Sequence, residues 1–160
     1  MKEKANRPRI LIIDDQESIR KSLKLALERV GYLADTAETG REAIRKSKAV
    51  FYNLALVDVR LPDMTGVELL TKMRKTVPEM VRIIITGYPS LENAIEAIHK
   101  GSNGYVVKPF AIEALLREVK EQLQKQQEAK KYSELKVREF IESRIEEIES
   151  RSSSKRSLKK

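Results

Sequence analysis

Short apolar runs alternate along this chain with longer segments in which apolar residues recur every three or four positions. Alternation of this kind is typical of βα units, which build a parallel sheet with helices on both faces. Four runs are clear, at 10–13, 54–57, 83–85 and 105–107, and a weaker one lies at 32–37. The pattern therefore predicts an α/β fold with a five-stranded, doubly wound parallel sheet.

Two residues mark the expected ends of helices. Gly31 is suited to a left-handed cap at the end of the first helix, and Ser90 is suited to the N-cap of the fourth. The residues of the fourth helix that we expect to face the core are Leu91, Ala94, Ile95 and Ile98.

Polar side chains follow four of the apolar runs, at the point where each strand should end. Asp14 and Asp15 follow the first run, Asp58 follows the run at 54–57, and Thr86 and Lys108 follow the last two. Ligands of doubly wound sheets bind beyond the carboxyl ends of the strands, where the strand order reverses. The flavodoxin-like order 2-1-3-4-5, taken from known doubly wound sheets rather than derived from this sequence, makes the first and third strands neighbours at that point. The three acids should therefore lie side by side.

The predicted acid cluster favours a hard divalent cation. Carboxylates packed together raise one another's pKa, and Mg²⁺ relieves this because it prefers oxygen ligands and pairs carboxylates with phosphate. Asp58 is then the natural nucleophile, since an aspartate can form an aspartyl-phosphate intermediate. Thr86 and Lys108 would bind phosphoryl oxygens and balance their charge. The pattern indicates a phosphoryl-transfer site.

Four stretches carry a family resemblance. They are IIDD at 12–15, LVDVRLPDMTG at 56–66, IITG at 84–87 and GYVVKPF at 104–110. The chain, over roughly residues 8–124, resembles the receiver domains of bacterial and archaeal two-component response regulators. Such domains are signalling phosphoacceptors rather than enzymes, and they catalyse only their own phosphoryl transfer and slow self-dephosphorylation.

The resemblance implies a role for each site residue. A sensor histidine kinase would phosphorylate Asp58, with Mg²⁺ held by Asp15, Asp58 and the backbone carbonyl of Arg60. Asp14 would act mainly through a bridging water. The resemblance also implies a cis peptide bond before Pro109.

The resemblance further implies a switch formed by Thr86 and Tyr105. Phosphorylation would draw the Thr86 hydroxyl toward the phosphate and let the Tyr105 ring turn inward. The surface of helix 4, strand 5 and helix 5 would then change and bind a downstream effector protein.

Two bulky residues are expected to affect the lifetime of the phosphorylated form. Arg60 and Tyr88 each lie two positions beyond a site residue, Asp58 and Thr86 respectively. They flank the line along which water must attack an acyl phosphate. We predict that they obstruct or order this water and slow dephosphorylation.

The C-terminal part of the chain has a different pattern. We expect an N-terminal tail at 1–8, a receiver domain at 9–124, a helical extension at 125–150 and a basic, disordered tail at 151–160. The fifth helix either continues into the extension or breaks near 126–131. Val137, Ile141, Ile145 and Ile148 form an apolar stripe that Tyr132, Leu135 and Phe140 broaden. The stripe suggests a coiled coil and needs a partner surface, either a second copy of the chain through 132–149 or another protein.

The formal net charge of +8 belongs to the two ends of the chain. Residues 1–9 carry +3 and residues 151–160 carry +5, so residues 10–150 are neutral. Nucleic-acid binding is therefore not favoured. The chain has no cysteine and no apolar run long enough to span a bilayer, which predicts a cytoplasmic protein without disulfides or membrane insertion.

Several functional interpretations remain open. The first is a single-domain response regulator whose phosphorylated face binds a partner protein. A second is a DNA-associated transcriptional regulator that dimerises through its C-terminal helix, although residues 132–160 are too few for a helix-turn-helix module with its own core. A third is a receiver-like scaffold that is never phosphorylated, and a fourth is a dimer whose helical register changes on phosphorylation.

Overall fold

The computed structural model describes residues 7–76 and 78–158. Strands and helices alternate strictly along this part of the chain. Their bounds are β1 Arg9–Ile13, α1 Glu17–Arg29, β2 Leu33–Ala37, α2 Gly40–Ala49, β3 Leu54–Asp58, α3 Gly66–Lys72, β4 Val81–Thr86, α4 Leu91–His99, β5 Gly104–Val107 and α5 Ile112–Leu158. All strand pairs are parallel and the order is β2-β1-β3-β4-β5, so the predicted fold and strand order are confirmed.

The three inner strands are buried on both faces of the sheet. Every residue of β4 and all but the last residue of β3 are buried, and in β1 only Arg9 is partly exposed. Alternate residues belong to two hydrophobic clusters because successive side chains of a strand point to opposite faces. Leu11, Val57 and Ile84 lie in one cluster, whereas Ile12 and Leu56 lie in the other. A continuous apolar run is what a strand covered on both sides requires.

Capping residues explain where several helices begin and end. The side chains of Thr39, Thr65 and Ser90 accept N–H bonds of 3.1 Å at the starts of α2, α3 and α4. Gly31, after α1, has a positive φ of 101°, a conformation that costs glycine little. The predicted roles of Ser90 and Gly31 are confirmed.

The predicted inward face of α4 is wrong. Leu91, Ile95 and Ile98 have exposed fractions of 78%, 46% and 63%, and Ala94 is half-buried. The residue that α4 buries completely is Ala97. Helical spacing identified an apolar stripe correctly, but spacing does not reveal whether another element covers that stripe. The structure leaves the stripe open to solvent.

The fifth helix is continuous from Ile112 to Leu158, which settles the choice between a rod and a broken helix. The prediction of disorder at 151–160 is wrong for 151–158. Arg151 forms an ion pair of 2.8 Å with Glu147 one turn earlier, and Lys155 and Arg156 lie in the last turn, where positive charge favours a helix. Residues 159–160, and residues 1–6 of the expected N-terminal tail, lie outside the described residues.

The chain divides into two compact units, with the division after Gln124. The first unit contains the sheet and the five helical segments around it. The second consists of the rest of α5, and its large apolar side chains between residues 132 and 148 are exposed. No helix within the described ranges is long and apolar enough to cross a bilayer.

Candidate functional site

The ends of β1 and β3 bring three acids together. These strands are direct neighbours, with Ile13 opposite Val57, so Asp14, just after β1, and Asp58, the last residue of β3, lie at the same edge. Carboxylate oxygens of Asp14, Asp15 and Asp58 all lie within 4.8 Å of one another. The structure thus places the three predicted acids in one cluster.

Asp14 is the most strongly held of the three acids. Its side chain is buried, and its backbone N–H donates to the carbonyl of Ala37 at the end of β2 (3.1 Å). One carboxylate oxygen accepts from the backbone N–H of Gln16 (2.9 Å) and the other from the ammonium of Lys108 (3.1 Å). These bonds fix the carboxylate in a single orientation.

Lys108 joins the end of β5 to the acid cluster. Its Nζ lies 3.1 Å from Asp14 and 3.5 Å from Asp58. Its backbone N–H donates to the carbonyl of Thr86 (2.7 Å), which keeps β4 and β5 in register up to the site. The peptide bond from Lys108 to Pro109 is cis, as the resemblance implies.

Asp58 is a carboxylate in an unfavourable environment. Burial raises its pKa above the ordinary value, and the charge of Asp14 raises it further. The backbone N–H of Arg60 (3.2 Å) and the ammonium of Lys108 act in the opposite direction. Three carboxylates and one ammonium leave two uncompensated negative charges, which one divalent cation would neutralise. The donor set therefore fits Mg²⁺, whose preferred ligands are oxygens.

Gly66 is a site residue that the sequence interpretation did not single out. A Cβ atom there would lie 2.3 Å from the backbone oxygen of Asp58, so only glycine fits. The N–H of Gly66 donates to the carbonyl of Val59 (2.7 Å), which closes the loop after β3 tightly against the phosphoacceptor candidate. The spacing of eight residues between Asp58 and Gly66 was the sequence signal that could have identified this glycine as a site residue.

Thr86 is buried at the end of β4, one residue beyond the partner of Asp58 in the strand pairing. Its hydroxyl oxygen accepts the backbone N–H of Tyr88 (2.9 Å). The hydroxyl hydrogen therefore stays available for another acceptor. Tyr105 lies in β5, where its ring packs against the core and its phenol oxygen is buried without a hydrogen bond in the described part of the chain.

Arg60 and Tyr88 contact each other. The guanidinium carbon of Arg60 lies 3.7 Å from the centre of the Tyr88 ring, a cation–π geometry. Arg60 is bonded through its backbone to Asp58, and Tyr88 is bonded through its backbone to Thr86. The pair thus connects the two loops that follow β3 and β4. The sequence interpretation named both residues but not their contact.

Comparisons with known proteins agree with this geometry. The family described as response regulator receiver domain matches residues 10–120. The uncharacterized transcriptional regulatory protein YkoG of Bacillus subtilis is 37% identical over 111 residues, which are 69% of this chain and 49% of YkoG. The regulatory protein AtoC of Escherichia coli is 35% identical over 118 residues, or 74% of this chain and 26% of AtoC. The chain thus spans about a quarter to a half of these relatives.

Solved structures give the same result. A CheY-like receiver domain protein from Methanospirillum hungatei has 43% identity and a TM-score of 0.74, covering 78% of this chain and 99% of that chain. The beryllofluoride-activated receiver domain dimer of NtrC4 has 40% identity and a TM-score of 0.69, covering 74% of this chain and 98% of that chain. Fold, acid cluster and similarity agree, and the chain belongs to the receiver domain family of two-component response regulators.

Proposed function

We propose that Asp58 accepts a phosphoryl group from a sensor histidine kinase and that this event switches a protein-binding surface. The observation that carries the proposal is the cluster itself. Asp58 lies within 4.8 Å of two further carboxylates and 3.5 Å from the ammonium of Lys108. A nucleophilic carboxylate beside a cation site and a fixed positive charge is what phosphoryl transfer requires.

The chemistry follows from the positions of these groups. A carboxylate oxygen of Asp58 attacks phosphorus, the new P–O bond forms, and the P–N bond to the kinase histidine breaks. The departing imidazole nitrogen retains the bonding electron pair and takes a proton from water. Lys108 would bind one phosphoryl oxygen, and the free hydroxyl hydrogen of Thr86 would be donated to another.

Magnesium has a defined place in this proposal. Asp15, Asp58 and the backbone carbonyl of Arg60 would hold it, with Asp14 acting through water, and the bound ion would neutralise charge developing on the phosphoryl oxygens. The raised pKa of Asp58 supports the assignment. A carboxylate destabilised by burial and by a like charge gains most from a nearby cation.

Thr86 and Tyr105 form the proposed switch. The hydroxyl of Thr86 now accepts from the loop after β4, and movement toward a phosphoryl group would pull on that loop. Tyr105 lies in β5 opposite Ile84, two residues before Thr86 in β4, and within the described residues its phenol oxygen has no hydrogen bond that would break when the ring moves. The two residues are suited to change position together.

The output surface is proposed to lie on α4, β5 and α5. Leu91, Ile95 and Ile98 of α4 are exposed, and so is Val107 of β5. Adjacent apolar side chains left in solvent are typical of protein-binding sites. A downstream effector protein is the proposed partner, and the cytoplasm is the proposed location.

Labelling with acetyl phosphate tests the central proposal. Wild-type protein should be labelled in the presence of Mg²⁺ and not in EDTA, while Asp58→Ala should not be labelled in either buffer. Asp63→Ala is the matched control because it removes an exposed carboxylate from the same loop. Equal labelling of Asp58→Ala and wild type would refute the assignment of the phosphoacceptor.

The stacked pair of Arg60 and Tyr88 is proposed to lengthen the lifetime of the phosphorylated form. A cation–π contact contributes about 0.5–1 kcal/mol at an exposed site, so breaking it should speed dephosphorylation by about two- to fivefold. Arg60→Asn and Tyr88→Ala are the test variants. Tyr132→Ala is the control, since it removes another exposed tyrosine that contacts a cation, Lys136. An unchanged lifetime in both test variants rejects the idea.

The extension is proposed to form a homodimer through 132–149. Val137, Ile141, Ile145 and Ile148 lie at steps of four, four and three residues, so they share one face of the helix, and all are exposed. The NtrC4 relative is described as a dimer of its activated receiver domain. Sedimentation with and without beryllofluoride should show whether a dimer forms and whether activation changes it.

Matched variants make the dimer test specific. Ile141→Glu places a charge on the apolar face and should give a monomer at concentrations where the wild type is dimeric. Ser143→Glu places the same charge on the opposite side of the same helix and should leave the dimer intact. Equal behaviour of the two variants would argue against this interface.

A DNA-associated transcriptional regulator is the second candidate. The observation that favours it is that YkoG is described as a transcriptional regulatory protein. A gel shift with duplex DNA at increasing salt tests it. Binding that weakens steeply with salt would support contact between the basic end of α5 and phosphates, and absence of binding at low salt would exclude it for this chain.

A further inference from the structure

Arg20 is a charged residue in the buried face of α1. The other buried residues of that helix are Leu23 and Leu27, and Arg20 is only 8% exposed. Burying a guanidinium costs free energy unless its N–H groups find partners. A leucine at this position would fit the apolar face of the helix without the free-energy cost of burying a charge. The contacts of Arg20 should therefore show the role of its guanidinium.

The first contact of Arg20 is with the acid cluster. Its Nη1 donates to the backbone carbonyl of Asp14 at 2.8 Å, within the buried interior. That carbonyl belongs to the peptide group that joins Asp14 to Asp15. Because a peptide group is planar, holding its oxygen fixes the direction in which the chain leaves toward Asp15. Arg20 therefore contacts the backbone between Asp15, a proposed magnesium ligand, and Asp14, which would act through water.

The second contact holds the guanidinium in place. Its Nη2 donates to the carboxylate of Glu38 at 2.9 Å, just beyond the end of β2. The backbone N–H of Glu38 is in turn bound by the carboxylate of Glu42, at 2.9 Å. The side chain of Glu38 is 64% exposed, so the ion pair is screened by water at that end. Glu38 acts here as an anchor for the orientation of Arg20.

The bonds of Asp14 show what Arg20 adds. The backbone N–H of Asp14 is held by Ala37, and its two carboxylate oxygens are held by Gln16 and Lys108. Its carbonyl is the remaining polar group, and Arg20 is the partner found for it in the described part of the chain. With that bond, every polar group of Asp14 is fixed.

We propose that Arg20 is a positioning residue for the magnesium site. By holding the peptide group between Asp14 and Asp15, it keeps the two carboxylates in the orientation that binds the cation and so sets the affinity for Mg²⁺. The inference rests on the proposed function, because it takes the acid cluster to be a magnesium site. Groups that orient metal ligands typically change metal affinity by about ten- to a hundredfold when they are removed.

Calorimetric titration of the phosphate-free protein with Mg²⁺ tests the proposal. Arg20→Met keeps the length and apolar stem of the side chain but removes its donors, and it should weaken Mg²⁺ binding by about tenfold. Arg20→Lys retains one donor that can reach the Asp14 carbonyl and should recover most of that loss. This readout requires no phosphorylation, so it does not depend on Asp58 acting as the nucleophile.

Arg9→Met is the matched control. Arg9 also binds a carboxylate, with its Nη1 3.2 Å from Asp35 in the middle of β2, but it lies at the opposite end of β1 from Asp14. Loss of that ion pair should reduce stability and leave Mg²⁺ affinity unchanged. A merely structural role for Arg20 would make the two methionine variants behave alike.

The outcomes separate the two proposals. If the wild type binds Mg²⁺ and Arg20→Met binds within twofold of it, the role of Arg20 is refuted while the site stands. If the wild type binds no Mg²⁺, the site is refuted and the role of Arg20 with it. If Arg20→Met does not fold, Glu38→Ala is the second test, because it removes the ion pair that orients Arg20. Mg²⁺ binding about threefold weaker than in the wild type supports the proposal, and unchanged Mg²⁺ binding overturns it.

Discussion

Removing the charge of Asp58 should stabilise the metal-free protein. The carboxylates of Asp58 and Asp14 lie within 4.8 Å, which at an effective dielectric constant of about 20 corresponds to a repulsion of about 3.5 kcal/mol. Asp15 is exposed and adds about 1 kcal/mol at the dielectric constant of water. The attraction between Asp58 and the ammonium of Lys108, 3.5 Å away, offsets this repulsion by about 4.7 kcal/mol. The pairwise terms therefore nearly cancel.

What remains is the cost of burying the Asp58 charge. Its side chain is only 12% exposed, and burial is the largest cause of its raised pKa. Asparagine has nearly the same shape, keeps an oxygen for the N–H of Arg60 and carries no charge. We expect Asp58→Asn to raise the free energy of unfolding by about 1–2 kcal/mol. The effective penalty for burying an ion is several kcal/mol, and the substitution removes only part of it because the asparagine amide is itself a polar group that must be buried.

Thermal unfolding in EDTA at pH 7, followed by circular dichroism, measures this effect. A gain of this size should raise the melting temperature by about 3–8 °C. Asp63→Asn is the control. The Asp63 carboxylate accepts the N–H groups of Gly40 (2.9 Å) and Arg41 (3.0 Å), which hold its pKa below the ordinary value, so removing its charge should lower stability. Mg²⁺ at ten times its dissociation constant should raise the free energy of unfolding of the wild type by about 1.4 kcal/mol, which reduces the difference in stability between the wild type and Asp58→Asn.

The pH dependence supplies a second check. Folding raises the pKa of Asp58, so the folded state favours the protonated carboxyl. The wild type is therefore relatively more stable at low pH, and it loses this stability as the pH rises through the raised pKa. The advantage of Asp58→Asn should therefore be absent near pH 3, where carboxylates are largely protonated, and grow toward pH 7. A variant that is less stable than wild type at pH 7 in EDTA would refute the reasoning.

Three further substitutions probe the supports of the site and the fold. Gly66→Ala should reduce acetyl-phosphate labelling at least about tenfold and lower the melting temperature, because its Cβ would collide with the backbone of Asp58; normal labelling would contradict this. Ser90→Ala should cost about 1 kcal/mol in urea unfolding through loss of the α4 cap. Tyr52→Phe should cost about 1 kcal/mol, since Asp35 loses a 2.7 Å hydrogen bond while the same carboxylate oxygen keeps its ion pair with Arg9; a neutral result would show that this ion pair or water compensates for the loss.

Local patterns in the sequence were sufficient for the strands and helices, and the strand order of known flavodoxin-like sheets completed the prediction of the acid cluster. A strand that is covered on both faces must be apolar throughout, so β1, β3 and β4 can be recognised without knowing their neighbours. Parallel strands also end at one edge of their sheet, so residues after those strands must meet there. Together with the flavodoxin-like strand order, this is why Asp14 and Asp58 could be predicted to be neighbours from positions far apart in the chain.

Other features required the packed structure. The period of α4 showed an apolar stripe, but whether Ile95 is covered depends on how the helix lies on the sheet. The contact between Arg60 and Tyr88 and the bond from Arg20 to the carbonyl of Asp14 depend on rotamers and on loop paths.

The difference between the features that could be predicted and those that could not has one physical reason. Sequence by itself determined which elements form and at which edge their polar ends lie, because secondary-structure period and strand direction are properties of single segments. Only the tertiary structure decided which surfaces stay open and which side chain holds which backbone group. Those outcomes depend on distances of a few ångströms between segments that the chain does not place next to each other.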